Sequence, residues 1–132
     1  MMSADGNKAV VRRFITEVLS GGNLDLAGDL LASNYANVLY GTTDLEGFTA
    51  GFSVLSAALP KRQFNIEGLV AEGDAVVARW RAELTHASGQ TLPVRGLTYY
   101  RLAAGKIVED DPFTTPDLMQ EVGKLAPLPV SS

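Results

Sequence analysis

Three consecutive carboxylates near the end of the chain are the first residues whose type and spacing could do chemistry. Glu109, Asp110 and Asp111 follow a short apolar stretch and precede Pro112. Neighbouring strand residues point to opposite faces, so one aspartate would point inward and the other outward. An inward carboxyl that loses hydration beside another charge has a raised pKa and can act as a general acid or base. The alternative is a solvated strand end, in which Asp111 positions the turn at Pro112.

The strand-like segment around Trp80 offers a second set of polar groups. Arg81 and Glu83 lie on one face of its alternating pattern, whereas Trp80 and His86 lie on the other. Alternating charges usually face solvent, so Trp80 and His86 are expected to face the apolar interior. His86 could then carry a proton at the mouth of a pocket, because histidine titrates near neutral pH. An exposed histidine beside the turn at residues 87–90 explains it equally well.

Aromatic residues are concentrated in the segments that would surround a pocket, although core packing explains most of them. Tyr35 and Tyr40 flank a polar loop between two predicted helices, so their hydroxyls are the best placed to touch a ligand. Two core or rim tyrosines would show the same pattern. The predicted pocket walls are Tyr35, Tyr40, Phe52, Trp80, Tyr100 and Phe113.

The composition excludes several classes of protein. The chain has 132 residues, of which 46% are hydrophobic and 20% charged, and these values are typical of one soluble globular domain. The net charge is −4 and the basic residues are scattered, so neither nucleic acid nor a membrane is expected as a partner. With no cysteine and one histidine, the common transition-metal sites cannot form, and no cofactor is expected. We expect a cytoplasmic protein.

Apolar residues at helical spacing predict three helices in the first sixty residues and a short one near the C-terminus. The first ends at a pair of glycines, and the second begins at the cap residue Asn23 and runs to Leu31. The third begins at a capping box of Thr43 and Glu46. The fourth begins at Pro116, a residue favoured at the first position of a helix, and Thr115 precedes it.

Four segments alternate like strands and are joined by short turns, which predicts consecutive antiparallel hairpins. They are Arg62–Ala71, Ala75–His86, Thr91–Leu102 and Lys106–Asp111. Helices followed by such a meander predict an α+β fold, a curved antiparallel sheet of at least four strands with the N-terminal helices on its concave face. A curled sheet of this kind can enclose a small-molecule pocket. One domain over residues 1–132 is expected, with its core in 5–124 and a loose tail at 125–132.

Several short motifs in the second half resemble the SnoaL-like polyketide cyclase branch of the nuclear transport factor 2-like superfamily. They are Gly73-Asp74, Arg79-Trp80, Thr85-His86, Tyr100-Arg101, Gly105-Lys106-Ile107 and Glu109. One departure is Asp111, which stands where the family commonly has a tryptophan. The resemblance implies a cone-shaped, cofactor-independent pocket protein that binds a small apolar carbonyl compound and catalyses an aldol-type cyclisation or isomerisation. Asp110 or Asp111 would be the acid/base and His86 an auxiliary donor.

The resemblance leaves two other functions open. Limonene epoxide hydrolases share the fold, and a similar site here would use Glu83 or Asp110 to activate water and Arg81 to orient it. The other possibility is a non-catalytic module for ligand binding or dimerisation. The resemblance also implies a homodimer through the sheet face that the helices leave bare. Apolar residues expected to contribute to such a face are Val76, Ala78, Leu97 and Tyr99.

Overall fold

The computed structural model describes residues 3–117, 120, 121 and 124, which form one sheet covered on one face by helices. The helical elements are α1 (Ala4–Arg13), its π-helical continuation (Phe14–Ser20), a 3-10 turn (Leu24–Leu26), α2 (Ala27–Leu30) and α3 (Leu45–Ala58). The strands are β1 (Leu31–Asn37), β2 (Lys61–Glu72), β3 (Ala75–Thr85), β4 (Thr91–Ala103) and β5 (Lys106–Thr115). None of the helices in these ranges is long and apolar enough to cross a membrane.

The strand order in the sheet is β1-β5-β4-β3-β2. Strands β2 to β5 form the antiparallel meander that the turns predicted, and the sheet is curved and open, so the predicted α+β class is confirmed. Strand β1 was not predicted. It follows α2 directly and pairs in parallel with β5, with Asn37 opposite Asp110. This pairing brings a segment from the first third of the chain beside the acidic strand.

Side-chain caps define where two helices begin. Ser3 caps α1 and accepts a hydrogen bond from the Gly6 amide at 3.0 Å. Helix α3 is capped by Asp44, which accepts from the Gly47 amide at 2.7 Å. The cap is therefore one residue beyond the predicted Thr43, because the aspartate carboxylate reaches the free amide of the first turn.

The C-terminal helix predicted from the sequence lies largely outside the described residues. Thr115, expected just before that helix, is instead the last residue of β5. The apolar residues expected in this helix, the glycine expected to end it and the tail expected to be loose are in undescribed positions. These are Leu118, Met119, Val122, Gly123 and residues 125–132.

Burial alternates along the central strands, so that each has one face toward the helices and one toward solvent. Val76 and Ala78 are fully buried under the helices, whereas Leu97 and Tyr99 are 49% and 37% exposed on the outer face. The expectation that all four could share the bare face is therefore corrected. An odd-numbered residue of β3 pairs with an odd-numbered residue of β4, so even positions share the inner face.

Arg62, on the edge strand β2, links the sheet to two helix ends through hydrogen bonds. Its guanidinium donates to the Leu19 carbonyl at 2.7 Å and to the Leu59 carbonyl at 2.8 Å, at the ends of the π-helical segment and of α3. It also lies over the Phe52 ring, 5.0 Å from the centroid. A cation at two helix C-termini satisfies carbonyls that have no partner within their own helix.

Candidate active site

A cavity of about 430 Å³ lies between the concave face of the sheet and the helices above it. Its walls are mostly apolar and include Ile15, Leu19, Phe48, Phe52, Leu55, Phe64 and Trp80. Its polar groups are Tyr35, Asn37, Tyr40, Thr42, Thr98, Tyr100, Asp110 and Thr114. Among the residues that the structure describes, no basic side chain lines it. The size and lining are those of a small-molecule site.

A bulge in β5 decides which aspartate faces this cavity. Arg101 pairs with Glu109 but Leu102 pairs with Ile107, so Val108 is an extra residue in β5. Ile107 and Val108 are both buried, and the alternation after them has shifted by one position. A bulge of this kind re-aims the side chains that follow it. Asp110 consequently lies on the cavity side.

The Asp110 carboxyl is 5% exposed and has a raised pKa of about 7. Burial is the main cause, because it removes water from the charged form, and the nearby Asp111 carboxylate raises the pKa further. The Tyr35 hydroxyl opposes both effects by donating a hydrogen bond to Oδ2 at 2.6 Å. The carboxyl can therefore gain or lose a proton near neutral pH.

An aromatic cluster explains the poor hydration of this carboxyl. The Phe14 ring centroid lies 6.5 Å from that of Tyr35, 5.7 Å from that of Phe48 and 6.2 Å from that of Tyr100. The pKa values of Tyr35 and Tyr100 are raised well above the usual range, first by burial and then by the charge of Asp110. Both phenols therefore remain hydrogen-bond donors at any physiological pH.

Tyr40 lies at the mouth of the cavity and is 41% exposed. Desolvation and the Asp110 charge raise its pKa to about 12. Its backbone amide donates to Oδ1 of Asn37 at 3.1 Å, and Nδ2 of Asn37 donates to the Tyr35 hydroxyl at 3.4 Å. A chain of hydrogen bonds therefore runs from the mouth to Asp110.

Trp80 forms another wall, and its position depends on a glycine. Its indole Nε1 donates to the Thr98 hydroxyl at 2.9 Å. A Cβ added to Gly96, opposite Trp80 in β4, would lie 2.6 Å from Cζ2 of the indole and 2.6 Å from the Phe113 carbonyl. Only glycine leaves this space for the indole ring.

The structure places five of the six predicted wall residues around the cavity. Phe113 is the exception, being 66% exposed on the outer face. It follows Asp110 by three residues in a strand and therefore points the opposite way. This placement corrects the expectation that Phe113 is a wall.

His86 does not line the cavity. It is 4% exposed, and its Nδ1 accepts from the Ser88 amide at 3.0 Å and lies 2.9 Å from the Ser88 hydroxyl. The imidazole therefore organises the turn after β3. This placement corrects the expectation that it carries a proton at the pocket mouth.

Arg81 and Glu83 lie on the outer face, which agrees with the expectation that alternating charges face solvent. Arg81 donates to Glu67 at 2.9 Å, and Arg79 donates to the same carboxylate at 3.2 Å. These arginines lower the pKa of Glu67. Neither Arg81 nor Glu83 lines the cavity with Asp110, so the arrangement expected for epoxide hydrolysis is not assembled.

Four polar cavity residues were not predicted from the sequence: Asn37, Thr42, Thr98 and Thr114. Asn37 belongs to β1, which carries no recognisable strand pattern. Thr98 alternates with Tyr100 in β4 and could have been assigned to the cavity face from that pattern alone. Within the described residues, no group of three or more acidic, histidine or cysteine side chains is arranged to hold a metal ion.

Comparisons with known proteins place this geometry in context. A candidate SnoaL-like polyketide cyclase from Jannaschia sp. CCS1 has a TM-score of 0.82 at 22% identity, covering 96% of this chain and 99% of that one. A candidate polyketide cyclase from Acidithiobacillus ferrooxidans has a TM-score of 0.80 at 26% identity, covering 96% and 100%.

A nuclear transport factor 2-like protein of unknown function from Burkholderia pseudomallei has a TM-score of 0.77 at 15% identity, covering 94% of this chain and 100% of that one. The comparison with curated proteins found no match. The family model of the SnoaL-like polyketide cyclases matches residues 9–114, most of the chain. The chain therefore belongs to the SnoaL-like polyketide cyclase family.

Proposed function

We propose that the cavity binds a small, mostly apolar carbonyl compound and that Asp110 transfers a proton beside that carbonyl. The observation that carries this proposal is a single carboxyl, buried in an apolar cavity, whose pKa of about 7 lies near the usual working pH. General acid–base catalysis is most effective when the pKa of the group matches the operating pH. The proposal agrees with the family membership.

The reaction that suits this arrangement is an aldol-type cyclisation. The ionised Asp110 would take a proton from the carbon next to a carbonyl, and the resulting enolate carbon would form a bond with a second carbonyl of the same molecule. The protonated Asp110 would then return the proton to the new alkoxide. The Tyr100 hydroxyl, which lines the cavity on the neighbouring strand, could donate to the enolate oxygen. No step needs a metal or an organic cofactor.

The first test is a thermal-shift screen of the protein against small carbonyl compounds, lactones and epoxides, since a ligand that binds the folded state stabilises it. Ligands found in this way are then tested for turnover with wild type, Asp110→Asn and Asp111→Asn. We expect turnover to be lost in Asp110→Asn and retained in Asp111→Asn. Equal turnover in all three would contradict the assignment of Asp110.

A non-catalytic binding module is the second candidate, because the same cavity could hold a ligand without changing it. The two functions differ in what Asp110→Asn does. If the protein is an enzyme, wild type converts the ligand and Asp110→Asn binds it without converting it. If it is a binding module, the ligand is unchanged after long incubation with either protein. Product analysis by mass spectrometry separates them.

We also propose that the protein forms a homodimer through the outer face of the sheet. Val77 pairs with Tyr99 and Leu97 pairs with Phe113 across neighbouring strands, and all four side chains are partly exposed. Adjacent apolar residues of this kind are typical of an interface. Sedimentation should give twice the 14.0 kDa of one chain, and Leu97→Glu should give the monomer. A monomer in the wild type would contradict the proposal.

A further inference from the structure

We propose that Asn37 is a positioning residue, which fixes the direction of the Tyr35 hydroxyl and thereby directs any proton taken up by Asp110 onto its oxygen Oδ1. The inference rests on the proposed role of Asp110 and extends it to a residue of β1. Asn37 is 8% exposed and does not touch the Asp110 carboxyl through a hydrogen bond. Its effect would pass through Tyr35.

The orientation of the Asn37 amide follows from its partners. The Tyr40 backbone amide can only donate, so the atom it contacts at 3.1 Å must be the carbonyl oxygen of Asn37. The NH₂ group therefore points to the Tyr35 hydroxyl, 3.4 Å away. Backbone hydrogen bonds hold this arrangement. The backbone amide of Asn37 donates to the backbone carbonyl of Thr42 at 2.9 Å, and the backbone amide of Val38 donates to the backbone carbonyl of Asp110 at 2.9 Å.

The direction of the next bond follows in the same way. An NH₂ group has no free lone pair to offer, so the Tyr35 oxygen accepts from Asn37 and its single proton goes to Oδ2 of Asp110, 2.6 Å away. Oδ2 is therefore occupied as an acceptor. No other side chain among those described donates to the carboxyl of Asp110, which leaves Oδ1 as the oxygen that exchanges a proton with a ligand.

This chain of bonds also connects the catalytic carboxyl with the rim of the cavity. Tyr40 contributes its amide to Asn37 and its ring to the mouth. Besides Tyr35, the titratable groups that interact with the carboxyl are Tyr40 at the rim, Tyr100 on β4 and Asp111, next to it in β5. The variants chosen below leave these groups unchanged, so that an altered titration of Asp110 reports on the hydrogen bonds from Tyr35 and Asn37.

The test is a double-mutant cycle on the pKa of Asp110, measured from carboxyl chemical shifts across a pH titration. Loss of a hydrogen bond to the charged form raises the pKa, so Tyr35→Phe should raise it by about one pH unit. Asn37→Leu should raise it by roughly 10–30% of that amount, the contribution of one bond to the next in a chain. In the Y35F background the effect of Asn37→Leu should vanish, because the residue acts through Tyr35.

Two results would overturn the proposal: no change of the Asp110 pKa in Asn37→Leu, or a change that persists in the Y35F background. Thr42→Val serves as the matched control, since it alters the same rim and leaves all three hydrogen bonds intact; the Asp110 pKa should be unchanged. Where Asn37→Leu fails to fold, Asn37→Ser replaces it, because serine is too short to bridge Tyr40 and Tyr35. The cycle needs no substrate, so it can fail or succeed independently of the turnover of Asp110→Asn.

Discussion

Replacing Asp110 by asparagine should stabilise the protein at high pH. Asparagine resembles the neutral carboxyl, can still accept from Tyr35, and carries no charge into the apolar cavity. The pKa of Asp110 is raised from 3.8 to about 7 in the folded state. Below about pH 4 the carboxyl is neutral in the folded and unfolded states, so it does not change the free energy of unfolding. Between pH 3.8 and about 7 the unfolded chain releases the proton and the folded chain keeps it, so wild-type stability falls as the pH rises.

The magnitude follows from the free energy of about 1.4 kcal/mol per pH unit. The span from 3.8 to about 7 amounts to ~4 kcal/mol. We expect Asp110→Asn to exceed wild type by about this amount at about pH 8.5, and by less than half of it at about pH 5. In a domain of this size the larger value raises Tm by roughly 15 °C.

The assay is urea denaturation of wild type, Asp110→Asn and Asp111→Asn at both pH values. The difference between two proteins cancels the titration of the other carboxylates. Asp111→Asn is the matched control, and because Asp111 is only the last of the three influences on the Asp110 pKa, its effect should be much smaller. A stability difference between Asp110→Asn and wild type that does not grow with pH would refute the reasoning.

Three further predictions concern the cofactor, the cavity wall and the helices. Turnover should survive dialysis against a chelator, and a loss that one metal restores would contradict cofactor-free proton transfer. Gly96→Ala should cost roughly 1–3 kcal/mol by overpacking, and it should cost less in the Trp80→Phe background, because phenylalanine lacks the ring atoms that clash; an equal cost of Gly96→Ala in both backgrounds would contradict the explanation. Arg62→Met should lower the free energy of unfolding by about 2 kcal/mol through loss of two hydrogen bonds from a charged donor, measured by urea denaturation, with Arg62→Lys losing less.

Much of the fold follows from the sequence, because the turns and the alternation of the central strands are local signals. Trp80 and Tyr100 were assigned to the inner side of the sheet or to its pocket, and both line the cavity. Strand β1 is different: Leu31 to Asn37 forms a strand only because β5 offers it a partner far along the chain. No local pattern reveals that pairing, and Asn37 was missed with it.

Which of the two aspartates faces the cavity also depends on strand pairing that the sequence does not reveal. Alternation alone says that Asp110 and Asp111 point to opposite sides, and it cannot say which side is which. The answer depends on the extra residue Val108, whose bulge is visible only in the pairing of β5 with β4. Phe113 was assigned to the cavity without that information and lies outside it. Residues beyond a bulge can be assigned to a face only once the register of the neighbouring strand is known.

Every catalytic role proposed for the cavity depends on Asp110 being a buried acid/base poised near neutral pH. The most direct measurement is the carboxyl chemical shift of Asp110, assigned by comparison with Asp110→Asn and followed across a pH titration. The structure predicts a midpoint near 7, far above that of an exposed aspartate. A midpoint near the ordinary aspartate pKa of about 3.9 would show a hydrated carboxyl and would contradict the proposed role of Asp110.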